Sequence, residues 1–292
     1  MSDAIRTPDE LLDGLPEFAF PYAYRQWQGF RLAHLDEGDG RPVVFLHGEP
    51  TWSFLWRKVI PPVREAGFRC IAPDLPGFGR SDKPIELGWY SYDRHAASVA
   101  ALLEELDLRE ATMVVHDWGG PIGLRVAVEQ PGRVSRIVIL DTGLFTGHQR
   151  MNEAWMAFRA FVERTEDLPV GLLVRRACKR DPGDQVIAGY EAPFPNAASK
   201  AGARAFPLIL PLTPDAPGAA AGQRVLEALR RDRRPKLVLW ADSDPVLPLV
   251  EVGERLANAL GTKVEHVIAN AGHFLQEDAG PEIGRLIADW LA

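Results

Sequence analysis

Val115-His116-Asp117-Trp118-Gly119-Gly120-Pro121-Ile122 reads as a strand end, a sharp turn and the first turn of a helix. Upstream, residues 111–115 form a short apolar run of the kind a buried strand uses. Downstream, residues 122–128 have helical spacing. A strand, one exposed polar residue, a glycine-assisted turn and a helix together make a nucleophile elbow. Against the G-x-S-x-G pattern, Gly119 fills the second glycine position, but Val115 stands at the first and Asp117 at the centre. A carboxylate is already ionised at neutral pH. It displaces a leaving group from carbon without the base that serine requires. The expected chemistry moves from ester cleavage towards attack on an alkyl carbon.

Outward from this elbow, strands are expected at 22–27 and 30–36, joined by a turn at Gln28-Gly29, and then at 42–46, 68–72, 113–116, 136–140, 236–240 and 264–268. Helical patterns intervene, the clearest at 95–106. This alternation predicts an α/β protein whose mostly parallel sheet carries helices on both faces. Reactive groups in such sheets gather at the carboxyl ends of the strands. From Gly143 to about Pro217 the alternation stops, leaving Pro- and Ala-rich helical pieces. The expected division is a core of residues 1–142 and 218–292 and a helical cap of residues 143–217 over the functional edge. Such a cap excludes water and supplies apolar walls for a small ligand.

Bulk properties narrow the function further. A chain of 292 residues, 46% hydrophobic and 25% charged, reads as an ordinary globular protein. Its net charge of -7 argues against nucleic acid as a partner. The densest basic run, residues 230–236, follows a helical pattern and is expected to complement the C-terminal dipole of that helix. Two cysteines, Cys70 and Cys178, suggest no disulfide framework. Met1 to Arg6 lacks the apolar core of a signal peptide, and no run approaches the ~18 apolar residues of a membrane span. A cytoplasmic protein with no membrane partner is expected.

Three features stand at the ends of expected strands in the chain order nucleophile, acid, base. Asp117 is the first. Ala241-Asp242-Ser243-Asp244-Pro245 places Asp242 or Asp244 just past a strand, and Ala271-Gly272-His273-Phe274 presents His273 after the next. A lone Asp or His in a loop is usually only solvated, so the ordered set carries the reading. Leu46-His47-Gly48-Glu49-Pro50 also follows a strand. The backbone N–H of Glu49 can therefore join that of Trp118 in an oxyanion hole. His47 reads as a brace for that loop, because His273 already fills the base role.

These segments resemble the haloalkane dehalogenases of the α/β-hydrolase superfamily. The carrying residues are His47-Gly48-Glu49-Pro50-Thr51-Trp52-Ser53, the 72–84 stretch containing Gly77-Phe78-Gly79-Arg80-Ser81-Asp82-Lys83-Pro84, His116-Asp117-Trp118-Gly119-Gly120, and 271–277. The 77–84 piece is shared widely among related hydrolases, whereas Glu49 together with Asp117-Trp118 is specific. The resemblance implies an α/β-hydrolase fold and an alkyl-enzyme ester on Asp117, hydrolysed by water that His273 activates. It also implies halide held by two tryptophans, no metal or organic cofactor, and a small apolar halogenated alkane and water as reactants. Trp118 would be one halide donor. A donor from the cap would have to be Trp155, which otherwise reads as an aromatic packing with Phe158 and Phe161. Family spacing favours Asp244 as the acid, Asp141 being the position a sister subfamily uses, and Asp242 then reads as a loop solvator. Asp74 and Asp82 read as turn holders, and His34, His95, His116, His148 and His266 as packing or surface residues.

An epoxide hydrolase is the nearest alternative, since it shares the aspartate nucleophile and histidine base. Opening an epoxide generates an alkoxide that must be protonated, and that family uses two cap tyrosines for it. Only Tyr190 stands in the expected cap. Halide departs without a proton, so an indole donor suffices. A non-catalytic member of the fold would be expected to have lost part of the set Asp117, His273 and acid, and all are present.

Overall fold

Gln28 and Gly29, both at positive φ (49° and 87°), turn the chain between two antiparallel strands, β1 (Tyr22–Trp27) and β2 (Phe30–Glu37). The computed structural model describes residues 3–292. Beyond this hairpin come β3 (Pro42–Leu46), β4 (Arg69–Pro73), β5 (Ala111–His116), β6 (Val134–Leu140), β7 (Lys236–Ala241) and β8 (His266–Ile268). They build one eight-stranded sheet in the order β8-β7-β6-β5-β3-β4-β2-β1. Pairing is parallel from β8 through to β4 and antiparallel where β2 joins β4 and β1 joins β2. A mostly parallel sheet is what the strand alternation predicts, and the α/β-hydrolase type is what the resemblance implies. From β3 the chain goes outward to β4 and then returns to place β5 on the other side of β3. That reversal makes the β3/β5 boundary the switch point of the sheet, where ligands bind in open α/β folds.

The helices are α1 (Ile60–Glu65), α2 (Tyr92–Glu105), α3 (Gly119–Glu129), α4 (Glu153–Arg164), α5 (Val170–Ala177), α6 (Asp184–Glu191), α7 (Ala201–Ile209), α8 (Ala219–Leu229), α9 (Glu254–Ala259) and α10 (Leu275–Leu291). Helix α3 packs against α2 and α8, while α1 packs against α10. With both faces covered, the central strands are uniformly apolar: Val43, Val44, Phe45 and Leu46 of β3 are all 0% exposed. Helix α2 begins three residues earlier than its apolar spacing implies, because Ser91 caps it by accepting from the Arg94 N–H. Helices α4 to α7 lie between β6 and α8, with no strand among them in the described residues.

The basic run departs from expectation. Helix α8 ends at Leu229, and its last turn holds no basic residue. Arg234 instead turns back, pairs with Asp232 and donates to the carbonyls of Ala127 (2.8 Å) and Val134 (3.0 Å). Ala127 lies in the last turn of α3, so the cation serves the C-terminus of a neighbouring helix. The chain reversal after α8 redirects the charge. Among the described residues, no helix is long and apolar enough to cross a membrane.

Candidate active site

Strand β5 delivers Asp117 into a turn at φ 49°, a left-handed conformation that a non-glycine residue adopts only under constraint. The constraint is visible. The Asp117 N–H donates to the Asp141 carbonyl (3.1 Å), and its own carbonyl accepts from Gly120 N–H (2.9 Å) and Thr142 Oγ1 (2.6 Å). Val115, in place of the first glycine of the elbow pattern, fits because Gly123 stands opposite; a Cβ there would come within 2.6 Å of Val115 Cγ1. The turn aims the carboxylate across the switch point. There the Glu49 N–H donates to Asp117 Oδ1 at 2.7 Å. Gly48 permits the approach, since a Cβ on it would lie 2.1 Å from the same oxygen.

His273 sits on the other side of Asp117. Its Nδ1 lies 2.8 Å from Asp244 Oδ2 and its Nε2 lies 3.5 Å from Asp117 Oδ2. Asp244 Oδ1 accepts from the N–H groups of Val246 (2.6 Å) and Leu247 (2.9 Å), which fixes the carboxylate to the loop after β7. Burial pushes the Asp117 and Asp244 carboxyls up, but the neighbouring imidazole outweighs it, helped by backbone N–H groups that include Trp118 for Asp117 and Leu247 for Asp244. Both stay below the usual carboxylate range. Burial alone would depress His273, yet Asp244 first and Asp117 second hold it well above the ordinary histidine value. The two carboxylates thus favour the imidazolium form of His273 over the neutral ring.

Asp141, the other possible acid, is fully buried with its oxygens on the Ala241 N–H (3.1 and 3.3 Å). Burial and the charge of Asp244 push its carboxyl well up, which favours its neutral form. Asp242 does more than meet solvent. It accepts from the N–H groups of Asn270 (2.9 Å) and Ala271 (3.3 Å) and so holds the loop that leads to His273. Asp74 likewise holds turns, through Ser53 N–H and Arg80 N–H. His47 accepts from the Leu75 N–H through Nε2 (3.0 Å) and donates from Nδ1 to its neighbour's carbonyl, which braces the Glu49 loop.

Above the carboxylate lies a cavity of about 280 Å³, walled by α4, α5, α7 and the loop after β7. Trp118 and Trp155 line it together with Asp117, His273 and the Glu49 side chain. Two other buried indoles are engaged, Trp52 donating to Gly189 O and Trp240 to Leu247 O, while Trp56 is buried without a partner away from the cavity. Those of Trp118 and Trp155 donate to no protein acceptor among the described residues. The Trp118 ring stacks on Phe206 with centroids 4.9 Å apart and tilts against Phe145 at 5.6 Å. The Glu49 carboxyl has one oxygen buried without a partner, and burial followed by the Asp117 charge drives it well up, favouring the neutral form. Among the described residues, no cluster of His, Cys, Asp or Glu has the makings of a metal site.

One supporting residue escapes the sequence reading. His116, next to the nucleophile, is fully buried, and its Nε2 lies 2.8 Å from the His273 carbonyl. Burial pushes it down to about 3, so it is the neutral tautomer that donates. Its buried position at the end of β5 was legible; its reach to a loop 157 residues away was not.

Residues 41–280 match the family model described as the alpha/beta hydrolase fold. A haloalkane dehalogenase of Mycolicibacterium paratuberculosis is 43% identical over 98% of this chain and 97% of its own length. One from Psychrobacter cryohalolentis is 39% identical over 98% and 97%. Among solved structures, the tetrameric haloalkane dehalogenase DpaA from Paraglaciecola agarilytica superposes with a TM-score of 0.89 at 35% identity, covering 97% of each chain. With this similarity running nearly end to end through the elbow, the histidine loop and the inserted helices, the chain belongs to the haloalkane dehalogenases of the α/β-hydrolase fold.

Proposed function

We propose that this enzyme converts short haloalkanes to alcohols through an alkyl ester on Asp117, with residues 143–217 as the cap over a core of 1–142 and 218–292. Asp117 Oδ2 attacks the halogen-bearing carbon; the carbon–oxygen bond forms as the carbon–halogen bond breaks, and halide leaves with the bonding pair. The two free indole N–H groups of Trp118 and Trp155 donate to that halide in a nearly dry pocket. Esterification removes the charge of Asp117, so His273 loses one of the two carboxylates that keep it protonated and becomes able to act as a base. It then takes a proton from water, whose oxygen attacks Asp117 Cγ. The Glu49 and Trp118 amides hold the resulting oxyanion. Collapse returns the proton to the departing alkoxide, which leaves as alcohol. The water oxygen stays in Asp117, and one proton goes to solvent.

The observation that carries this reading is the coincidence, in one small cavity, of an ionised Asp117 with two unclaimed indole donors. At ~30 Å³ per water-sized group, a volume of about 280 Å³ suits a short chain. Epoxide opening is disfavoured by Tyr190, which is 0% exposed and donates its hydroxyl to Glu277 at 2.5 Å rather than into the cavity. A cytoplasmic setting is part of the proposal, resting on the unpaired Cys70 and Cys178.

Bromide release from 1-bromobutane or 1,2-dibromoethane tests it. Wild type should turn over and Asp117→Asn should release none. His273→Phe should release one bromide per enzyme and then stop, with the alkyl group found on Asp117 by intact mass. Diol from styrene oxide, with no bromide from any short bromoalkane, would overturn the assignment.

A further inference from the structure

Of the three residues at the reacting centre, two hang on the core alone. Asp117 is held by β5, Asp141, Thr142 and Glu49, and Asp244 by the amides of Val246 and Leu247. His273 differs. Its carbonyl accepts from His116 in the core, but its N–H donates to the carbonyl of Ala177 (2.8 Å), the last residue of cap helix α5. The same junction is closed by Asp278. One oxygen of this carboxylate accepts from Gly272 N–H (2.9 Å) and Lys179 N–H (2.9 Å), and the other from Arg180 N–H (2.8 Å). A single side chain thus joins the residue before His273 to the two cap residues just beyond Cys178. The surfaces are in close contact there: a Cβ on Gly272 would lie 2.4 Å from the Ala177 carbonyl. Asp278 itself stands on the first turn of α10, just before a break in helical geometry at Ala279 (φ -144°, ψ 28°).

We propose that Asp278 is a positioning residue that clamps the cap to the histidine loop, so that movement of the cap and alignment of His273 are one event. The inference rests on the dehalogenase reading above. Helix α5 lines the cavity through Leu173, Arg176 and Ala177, so an opening that moves α5 to let alcohol and halide out displaces the carbonyl that holds the His273 N–H. Closure restores it. The base is thereby aligned when the cavity is shut to bulk water, while the nucleophile, anchored only in the core, is indifferent to the cap. Alkylation and hydrolysis consequently depend on the clamp to different degrees. A displacement of the base by about 1 Å is enough to slow a proton transfer by one to two orders of magnitude.

Asp278→Ala and Asp278→Asn, compared with wild type on 1-bromobutane, test the clamp. The single-turnover bromide burst reads alkylation, and the decay of the alkyl-enzyme, followed by quenched intact mass, reads hydrolysis. The expected result is a burst rate within about twofold of wild type and an adduct lifetime prolonged about tenfold or more in Asp278→Ala. Asp278→Asn, which retains an acceptor oxygen, should fall between. Amide hydrogen exchange at Gly272, Lys179 and Arg180 should accelerate in Asp278→Ala while that of β5 does not. A lowered melting temperature with both steps slowed by the same factor would reveal a merely structural residue and overturn the proposal. So would an unchanged adduct lifetime in a folded variant. Absence of bromide from wild type would remove the dehalogenase reading, and this role with it, and that failure is recognisable before any variant is examined.

Discussion

Asp141 and Asp244 end neighbouring strands and diverge in acidity: Asp244, 2.8 Å from His273 Nδ1, is held below the usual carboxylate range, whereas burial first and the charge of Asp244 second push Asp141, which faces the Ala241 N–H, well up. Two buried carboxyls at the ends of adjacent strands are thus driven apart in affinity for protons, and only one is able to orient the imidazole.

Asp244→Asn should therefore lower kcat by about 10³-fold or more, because an amide at this position favours the wrong imidazole tautomer. Asp141→Asn, at a carboxyl that faces the Ala241 N–H and whose neutral form burial favours, should stay within a few-fold of wild type. Steady-state bromide release from both variants checks this. Comparable losses in the two would mean that the acid is shared.

Trp118→Phe and Trp155→Phe each remove one indole donor and keep an aromatic ring. A hydrogen bond to a charged partner contributes about 1.5–3 kcal/mol, so each change should weaken bromide binding roughly 10- to 100-fold. Bromide quenching of the remaining tryptophan fluorescence measures it. A Trp155→Phe enzyme that binds bromide as wild type does would return Trp155 to plain packing with Phe158.

The two half-reactions should separate in pH. Asp117 is held below the usual carboxylate range, so alkylation should persist well into acid. Hydrolysis needs neutral His273, and Asp244 still favours the imidazolium after Asp117 is esterified. The acid limb of hydrolysis should therefore lie at higher pH than that of alkylation. Quenching steady-state reactions at pH 5 and pH 8 should reveal more alkyl-enzyme at pH 5; equal fractions would contradict the scheme.

Acid should destabilise the fold through its buried neutral histidines. Burial pushes His47 down to about 4 and His95 and His116 down to about 3, below the ~6.5 of an unfolded chain. Between those values the unfolded state binds more protons. The stability they contribute is complete above about pH 6.5 and is lost as pH falls through the folded values. His95 stacks on Phe206 at 4.6 Å with neither ring nitrogen partnered, so His95→Phe should flatten the decline of melting temperature between pH 6.5 and 4. An unaltered slope would assign the loss to other groups.

The chain order of Asp117, Asp244 and His273, each just past a strand, was legible because a nucleophile elbow and strand-end loops are local patterns. So was Glu49, whose contribution comes from a backbone N–H that any residue after His47-Gly48 would supply. Which aspartate meets His273 was not legible from the residues alone. Asp141, Asp242 and Asp244 all end strands, and only the path of the loop after β7 brings Asp244 Oδ2 within 2.8 Å. The service of Arg234 to α3, the reach of His116 to the His273 carbonyl, and the three hydrogen bonds joining 272–278 to 177–180 were equally hidden.

Sequence by itself determined the alternation of strands and helices, the interruption by inserted helices, and a carboxylate at the elbow, because periodicity and turn chemistry act over a few residues. Tertiary structure alone decided which buried groups are pushed up or down in acidity, which aspartate meets His273, the convergence of Trp118 and Trp155 on one cavity, and the hydrogen bonds between the His273 loop and the end of α5. Burial and charge coupling depend on distances across the fold, and those distances are set by packing between segments far apart in the chain.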